Sequence, residues 1–521
     1  MKRDHKFRVL LFPVFGALAS CGGGGSGGGG GNNIPVNPWQ SGVFQPSAAF
    51  EARCVNPRFG TSDRQGTATD QNNWLRSFTN ELYLWYGEVL DRDPALYATD
   101  QYFSLLKTSA VTTSGAPKDK FHFTYDTAVW QALSQGGIEA GYGAEFAVLA
   151  PTPPRRIVVA YTDPGTTAAT NLARGDEILQ VDGVDAVNGG TQANVTVLNT
   201  GLFPDNTGEN HTFVVRNTAG VSRTVTMTSA SVTHTPVPIV TTFASASGPV
   251  GYIQFNDHIA TAETPLANAV NTLKAANVTD LILDVRYNGG GYLDMASELA
   301  YMIGNTSLLT GKTFEKIVFN DKNPSRNPVT GETLTPTPFL STTEFQTQNQ
   351  PLPTLNLTRV YIITGPGTCS ASESIINSLR GAGVEVYLIG STTCGKPYGF
   401  YPTDNCSVTY FTIQFRGENA ANFGDYTDGF SPANTTHDKG TSVPGCSVAD
   451  DFTHPMGDAS ESRIAAALAF RASNNLSCPT ASGVSPPQVA KASILDNLET
   501  TGLWVSKPAA RQNRIIRRMT N

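Results

Sequence analysis

RVYIITGPGTCSASESIINSLRGAGVEVYLIG, residues 359–390, is the stretch that decides the fold. An apolar strand pattern, RVYIIT, is followed by a glycine turn, a helix with an apolar face and a second strand, VEVYLIG. One right-handed crossover returns the chain to the same sheet edge, so the two strands are predicted to be parallel neighbours. Side chains that follow these two strands should therefore meet at one end of the sheet.

Similar units occur from residue 249 to about residue 470. VGYIQF is typical of a strand, TPLANAVNTLKAAN of an amphipathic helix and LILDVRYN of a buried strand, and GGGYLDMASELAYMIG predicts a glycine turn with a helix. Strands that alternate with helices indicate βαβ units and a partly parallel sheet. We therefore predict an α/β core over residues 236–470.

Two regions with different sequence patterns precede this core. Residues 49–128 predict a helical region, because NNWLRSFTNELYLWYGEVL carries large apolar side chains at near-helical spacing. Its aromatic residues Tyr83, Trp85 and Tyr86 are expected to be core residues. Residues 129–235 predict a β-rich domain, with the short strands of YGAEFAVLA, RRIVVAYTDPG and ARGDEILQVDGVDAV separated by turns. The fold class is thus multidomain, α+β with α/β.

GDEILQVDG, residues 175–183, resembles a strand and turn of PDZ domains. The resemblance implies a module that adds a chain end to a sheet edge as a strand and captures its terminal carboxylate with loop N–H groups. The candidate carboxylate-binding loop is Gly141, Tyr142, Gly143 and Ala144. The alternative for residues 129–235 is an unrelated small β-domain.

The first 48 residues predict export and tethering. MKRDHKFR is basic, VLLFPVFGALAS is a short apolar run, and the following Leu-Ala-Ser-Cys pattern, which ends at Cys21, resembles the cleavage box of bacterial lipoproteins. The resemblance implies that residues 1–21 are a signal peptide and that Cys21 is lipidated, with an ordinary signal peptide as the alternative. Residues 22–48 begin with GGGGSGGGGG, which predicts a flexible tether. We expect a lipid-anchored protein of the bacterial cell envelope.

Charge and cysteine content narrow the possible partners and cofactors. The net charge is -7 and no basic patch with interleaved aromatic residues occurs, so no nucleic-acid partner is expected. An even number of cysteines besides Cys21 in an exported chain predicts disulfides, whose pairing the spacing leaves open. No C-x-x-C spacing occurs, and no metal or other cofactor is expected. The six cysteines are Cys54, Cys369, Cys394, Cys406, Cys446 and Cys478.

A nucleotide-binding alternative fails on one residue. GSTTCGK, residues 390–396, fits the phosphate-binding loop G-x-x-x-x-G-K-[ST] up to its last position. That position must be Ser or Thr to hold magnesium, and here it is Pro397. We therefore interpret Lys396 as something other than a phosphate ligand.

A serine and this lysine follow the two strands of the opening stretch. Ser370 begins the predicted helix, where a serine is either an N-cap or a nucleophile whose oxyanion the Ala371 N–H stabilises. Lys396 follows the second strand and is predicted to lie at the same end of the sheet. A lysine is a general base only when neutral, and burial among apolar residues lowers its pKa. Glu373, in the first helical turn, is a candidate neighbour or a helix-dipole partner.

TCSASE, residues 368–373, followed by GSTTCGK resembles the active region of the C-terminal processing (tail-specific) serine peptidases. The order of helical region, PDZ-like domain and α/β core is similar to that family over roughly residues 70–470. The resemblance implies that Ser370 is the nucleophile and that Lys396 is the general base and then the acid.

The sequence RYNGGG, residues 286–291, resembles a second motif of this family. The resemblance implies that the Gly290 N–H joins the Ala371 N–H in the oxyanion hole, with Gly289 and Gly291 as alternatives. Arg286 is expected to brace this glycine turn.

Two residues depart from the family pattern. Cys369 replaces the small residue usual before the serine, and the serine–lysine interval is about one residue longer, which suggests a bulge near residues 391–394. Phe400 stands where several relatives have a glutamine that orients the lysine amine. Another residue must therefore position Lys396.

Together these patterns predict an envelope-anchored serine endopeptidase that acts on protein or peptide substrates by acyl transfer. The alternative is a catalytically inactive peptide-binding protein on the same scaffold. A Ser-His-Asp triad with His258 or His454 is a third possibility, which no nucleophile motif supports. The role of residues 471–521, a C-terminal extension, and the oligomeric state leave no clear sequence signal.

Overall fold

The computed structural model describes residues 39–436, 440–483 and 514–516. The predicted signal peptide, the lipidation site Cys21 and most of the predicted tether and C-terminal extension lie outside the described residues. Among the described residues, no helix combines the length and the hydropathy that a membrane span requires.

The first described region is built around one long helix. Its elements are β1 (Arg53–Cys54), β2 (Arg64–Gln65), α1 (Ala68–Leu82), α2 (Thr99–Ser104) and β3 (Phe123–Asp126). Helix α1 begins where the Thr67 side chain accepts a hydrogen bond from the Asp70 N–H and the Asp70 carboxylate accepts one from the Thr67 N–H. Trp74 and Phe78 of α1 pack against Tyr102 and Phe103 of α2. The predicted helix in this stretch is therefore present.

The second region contains an antiparallel sheet and three helices. Its elements are α3 (Thr127–Gly136), β4 (Ile138–Gly141), β5 (Ala144–Ala150), β6 (Arg156–Thr162), α4 (Thr167–Asn171), β7 (Glu177–Val181), β8 (Val184–Asp185), α5 (Gln192–Leu202), β9 (Asn210–Arg216), β10 (Ser222–Thr228) and β11 (Ala230–Thr233). The strand order is β10-β9-β7-β6-β5, with β5 at one end, and all these neighbours are antiparallel. The buried core includes residues of β5, β6, β7, β9 and α5.

The third region is the α/β part of the chain. Its elements are β12 (Ile239–Phe243), β13 (Val250–Gln254), α6 (Glu263–Ala275), β14 (Asp280–Asp284), β15 (Gly290–Tyr292), α7 (Leu293–Ile303), α8 (Thr306–Leu309), β16 (Thr313–Phe319), β17 (Thr337–Pro338), β18 (Arg359–Thr364), α9 (Ala371–Ala382), β19 (Glu385–Gly390), β20 (Tyr398–Gly399), β21 (Thr403–Asn405), β22 (Val408–Phe411), β23 (Phe415–Glu418), β24 (Phe430–Pro432), β25 (Thr441–Val443), β26 (Gly445–Ser447), α10 (Ser462–Ala472) and β27 (Arg514–Ile516).

The central sheet of this region has six strands in the order β12-β13-β14-β18-β19-β26. Strand β12 is antiparallel to β13, and all other neighbours are parallel. The predicted pair β18 and β19 is present, with Arg359 opposite Glu385 and Thr364 opposite Gly390. The prediction of a mixed α/β fold with βαβ units is therefore confirmed here. The described residues from Ser41 onward form one compact unit, and the predicted boundaries at residues 128, 235 and 470 stay predictions.

Both faces of the central sheet are covered, as expected for parallel strands. On one face, Ile253, Leu283 and Ile362 pack against helices α6, α7 and α9. On the other face, Ile282 and Ile363 pack against α10. This alternation along each strand fixes the strand register. Because β14, β18 and β19 are parallel, their carboxyl ends lie at one edge of the sheet.

Arg286, expected to brace the glycine turn, is fully buried and lies in an ionic network. Its guanidinium donates hydrogen bonds to the carboxylates of Asp284, Asp450 and Glu461. The same Asp450 carboxylate accepts hydrogen bonds from Arg174, which follows α4 in the second region, and from the Tyr287 hydroxyl. The network therefore connects the second region to the turn that precedes β15.

A buried carboxyl pair gives the fold a pH dependence. Glu263 accepts hydrogen bonds from three consecutive N–H groups of residues 344–346, and Glu298 accepts one from the Glu344 N–H. Burial and the nearby Glu263 raise the pKa of Glu298 to about 10. The folded protein therefore keeps a proton on Glu298 that the unfolded chain, with a glutamate pKa of about 4.3, releases.

Stability should therefore fall as the pH rises above the unfolded-state pKa of Glu298. The expected slope is about 1.4 kcal/mol per pH unit, because the folded state binds one more proton. A Glu298→Gln variant should lack this slope and be more stable than the parent protein at pH 8. Urea unfolding of both proteins at pH 6 and pH 8 measures the difference, with exposed Glu332→Gln as the control. Parallel pH dependences of the parent and the Glu298→Gln variant would contradict the prediction.

Candidate active site

Ser370 connects β18 to α9 with a backbone conformation that is rare for serine. Its φ is 63° and its ψ is -117°, a region that costs a residue with a Cβ about 1–3 kcal/mol. The side chain is completely buried, and its hydroxyl makes no hydrogen bond within the described residues. A strained serine at a strand-to-helix turn is the geometry that presents a nucleophile.

Lys396 is also completely buried, and its amine lies among aromatic rings. The Nζ atom is 4.2 Å from the centroid of the Phe400 ring and 4.9 Å from that of Phe121. Phe400 stands at the position where the sequence resemblance implies a glutamine, so an aromatic surface lies where that amide was expected. Phe121 comes from the segment before β3, and the sequence did not predict its contact with Lys396.

One carboxylate joins the serine turn to the lysine loop. Glu373 Oε2 accepts hydrogen bonds from the N–H of Ser370 at 2.9 Å and from the N–H of Lys396 at 2.8 Å. Its Oε1 accepts from the Gly395 N–H at 2.9 Å and from the Thr393 hydroxyl. Burial raises the pKa of Glu373, and these four hydrogen bonds oppose that shift. A single oxygen atom, Glu373 Oε2, therefore accepts hydrogen bonds from the backbone N–H groups of both Ser370 and Lys396.

A disulfide also connects the serine turn to the lysine loop. Cys369 and Cys394 are bonded, with their Cα atoms 5.2 Å apart, and the Cys394 N–H donates to the Thr368 carbonyl at 3.0 Å. Cys369, the residue that departs from the family pattern, therefore has a structural partner in the lysine loop. The other two disulfides are Cys54–Cys406 and Cys446–Cys478, so the predicted six-cysteine disulfide set is present.

The predicted aromatic cluster borders this disulfide. Tyr83 is fully buried and packs with Phe121 and Cys369, while Trp85 and Tyr86 are partly buried beside them. The prediction of a core role is thus correct for Tyr83. The first region of the chain therefore covers the serine and lysine loops.

The glycine turn before β15 contacts the serine turn through Asn288. The Asn288 carbonyl accepts hydrogen bonds from the Cys369 N–H and from the Ser372 hydroxyl, both at 3.1 Å. The predicted oxyanion donor Gly290 gives its N–H to the Asn288 Oδ1 at 2.9 Å. The Gly290 N–H is therefore engaged in this structure, whereas Ala371 opens α9, where the first N–H groups lack helical acceptors. Asn288 has no assigned role in the sequence interpretation.

His258 and His454, considered for a triad, make other contacts. The Nδ1 atom of His258 lies 2.9 Å from the Asn288 Oδ1, and the Nδ1 atom of His454 lies 2.6 Å from an Asp451 carboxylate oxygen. Because the Ser370 hydroxyl makes no hydrogen bond within the described residues, neither imidazole is bonded to it. A Cβ at Gly291 would collide with the His258 carbonyl oxygen, so the close packing of this turn requires glycine.

The predicted carboxylate-binding loop lies at the start of an edge strand. Gly141 ends β4 and Ala144 begins β5, with Tyr142 and Gly143 between them. Tyr142 is buried and its hydroxyl donates to the Gly201 carbonyl in α5 at 2.9 Å, while Gly143 has a positive φ of 77°. Strand β5, which follows this loop, is the last strand in the strand order of its sheet.

Comparison with known proteins assigns the α/β part of the chain. Residues 249–402 match the sequence profile of peptidase family S41. These residues are a peptidase family S41 domain. The matched range contains four of the predicted site residues, Ser370, Lys396, Ala371 and Gly290, together with Glu373 and Phe400.

Relatives of this S41 domain support the assignment. A carboxyl-terminal-processing protease of Picosynechococcus sp. is 24% identical over 238 residues, which are 45% of this chain and 49% of the relative. The match thus spans about half the length of that curated relative. A putative S41 protease of Bacteroides fragilis has a similar structure, with a TM-score of 0.55 at 20% identity over 77% of this chain and 97% of that one.

The photosystem II D1 C-terminal processing protease also matches, with a TM-score of 0.42 at 19% identity over 71% of this chain and 92% of that one. The Bacteroides fragilis likeness shows an S41-type fold that extends beyond the S41 domain itself. Phe121, which touches the Lys396 amine, lies outside that domain, so the site includes a residue from the first region.

Proposed function

We propose that this protein is a serine endopeptidase with a Ser370–Lys396 dyad and that it cleaves protein or peptide substrates by acyl transfer. The observation that carries the proposal is the shared Glu373 oxygen, which holds the N–H groups of both residues. The strained Ser370 backbone and the membership of these residues in an S41 domain are consistent with it. Known S41 relatives include a carboxyl-terminal-processing protease.

The reaction needs two proton relays through the Lys396 amine, one in acylation and one in deacylation. The Ser370 Oγ bonds to the scissile carbonyl carbon while its proton passes to neutral Lys396 Nζ. The resulting ammonium protonates the leaving amine as the peptide C–N bond breaks, which leaves an acyl-enzyme and a neutral lysine. Water then attacks the acyl carbon, Lys396 accepts its proton, and Ser370 recovers that proton as the acid product leaves.

Burial and aromatic carbon around the amine favour this role. An amine removed from water loses hydration of its charged form, which disfavours the ammonium. The ring faces of Phe121 and Phe400 attract a cation, and so would steady the ammonium that forms during the reaction. The aromatic slot therefore suits a lysine that alternates between neutral and charged forms.

The developing oxyanion would be stabilised by the Ala371 N–H and by a donor of the glycine turn. Since the Gly290 N–H is bonded to the Asn288 Oδ1, a turn of the Asn288 amide must accompany its use. Ser372 and Cys369 hold the Asn288 carbonyl, which keeps the two donor segments together.

The proposal also includes a mode of substrate capture and a cellular location for the enzyme. The edge strand β5, with the Gly141–Ala144 loop at its start, is suited to add a substrate chain end as a strand. The lipoprotein-like pattern that ends at Cys21 supports anchoring of the enzyme in the bacterial cell envelope.

Labelling with a serine-directed fluorophosphonate probe tests the proposal. The purified protein should react at Ser370, as located by peptide mass spectrometry, and should cleave an unfolded casein-like substrate. Ser370→Ala should abolish both signals, while Ser378→Ala, on the same helix, should keep both. A folded protein that neither labels nor cleaves, yet binds peptides through the second region, would favour the inactive peptide-binding alternative.

A further inference from the structure

The backbone strand β27 lies beside the glycine turn of the proposed active site. It pairs in parallel with β15, with Arg514 opposite Gly290, Ile515 opposite Gly291 and Ile516 opposite Tyr292. Residue Gly291 also forms a bridge with His258, so β15 lies between that residue and β27. A segment distant in sequence from the S41 domain therefore occupies the side of β15 that faces away from His258.

The same strand also lies close to the lysine side of the site. Cα atoms of β27 come within 8 Å of those of β20, the short strand that follows Lys396. The backbone of Arg514–Ile516 is thus close to both the glycine turn and the strand that follows Lys396. A peptide that binds beside Gly290, the proposed oxyanion donor, must therefore displace this segment.

We propose that Arg514–Ile516 is a built-in substrate mimic, which occupies the substrate-binding edge of β15 in its own chain and inhibits the peptidase. This inference rests on the proposed function for its effect on activity, though not for its effect on strand pairing. Strand addition is a common mode of peptide recognition, in which main-chain hydrogen bonds supply the affinity. The residues fit this mode, because isoleucine favours extended strands.

The covalent link makes this inhibitor strong. A segment of the same chain does not have to be captured from solution, and ligands tethered to their own binding site reach effective concentrations of about millimolar. A free substrate at micromolar concentration therefore competes poorly. The complete burial of the Ser370 and Lys396 side chains agrees with an occupied site.

Hydrogen exchange in the full chain tests the pairing without any need for activity. Because the Gly290 carbonyl and the Tyr292 N–H pair with His258, Gly291 is the residue of β15 whose backbone faces β27. In an inactive Ser370→Ala background, Ile516→Pro removes the N–H that faces β15 and fixes φ, so it should break the β15–β27 ladder. The Gly291 amide should then exchange at least about tenfold faster, while the Gly290 and Tyr292 amides, which donate to Asn288 and His258, should keep their rates. Ile516→Val, which keeps a β-branched strand residue, should leave all three unchanged. Ile515→Pro serves as a second variant if the first does not fold. Equal exchange in the proline and valine variants would overturn the proposal.

Activity gives the second measurement. With Ser370 intact, Ile516→Pro should cleave the casein-like substrate at least about tenfold faster than the parent protein, and a synthetic peptide of residues 509–521 should reverse the gain. A scrambled peptide should have no effect. Faster exchange with no cleavage or probe labelling in any variant would contradict the proposed function but would still support the inferred β15–β27 pairing. Faster exchange with unchanged cleavage would overturn the inhibitory role.

Discussion

A Lys396→Met variant should cleave an unfolded casein-like substrate at least about 10³-fold more slowly than the parent protein. Methionine has a similar length and an apolar chain, so it fits the slot formed by Phe121 and Phe400 without disturbing the fold. It cannot accept the Ser370 proton, which is the step that the proposed mechanism assigns to Lys396. Steady-state kinetics measure the loss, and thermal unfolding checks that the variant remains folded.

Lys120 offers a matched control for this substitution. Its amine donates to the Cys394 carbonyl at 2.8 Å, so it touches the same loop, but the proposed mechanism gives it no proton to carry. Lys120→Met should therefore change the cleavage rate by less than about threefold. Lys396→Arg should be as inactive as Lys396→Met, because a guanidinium stays protonated. Retained cleavage in Lys396→Arg would show that this residue is not the base.

Local sequence patterns were sufficient for the elements that hold the dyad. The alternation of β18, α9 and β19 can be read from apolar periodicity, and the right-handed crossover then places residues 370 and 396 at one sheet edge. The same crossover rule applies to β13, α6 and β14. These predictions depend on short-range spacing, which a single sequence contains.

The contacts around the dyad could not be predicted in this way. Phe121 reaches the Lys396 amine from another region, and the pairing of Cys369 with Cys394 depends on how two loops meet. The Asn288 side chain takes the Gly290 N–H, which no motif indicates. Each of these depends on tertiary packing, and none has a periodic signal in the sequence.

The sequence pattern around Glu373 predicts its place in the first turn of the helix, but not its contacts with the lysine loop. A glutamate in the first turn of a helix is typical of a dipole partner or a cap, and the sequence favours neither over a site role. The structure adds the lysine loop, whose N–H groups at Gly395 and Lys396 donate to the same carboxylate. The residue therefore positions the lysine loop as well as the helix start.

A Glu373→Gln variant should lower kcat for the casein-like substrate by about 10²-fold with little change in KM. The carboxylate accepts four hydrogen bonds, whereas an amide turns an NH₂ group toward two of those donors and pushes them apart. A shift of about 1 Å between Ser370 and Lys396 is enough for a loss of that size, because acyl transfer depends on alignment. Unchanged KM is expected since Glu373 is completely buried and its carboxylate accepts hydrogen bonds from the serine turn and the lysine loop.

Exposed Glu385 on β19 is the control, because Glu385→Gln changes only a hydrogen bond from the Tyr387 hydroxyl and should leave kcat unchanged. Denaturant unfolding separates a loss of alignment from a loss of fold. If folded Glu373→Gln keeps the parent kcat, the carboxylate is only a helix cap. The Cys369–Cys394 disulfide, which joins the same two loops, would then be sufficient to align serine and lysine.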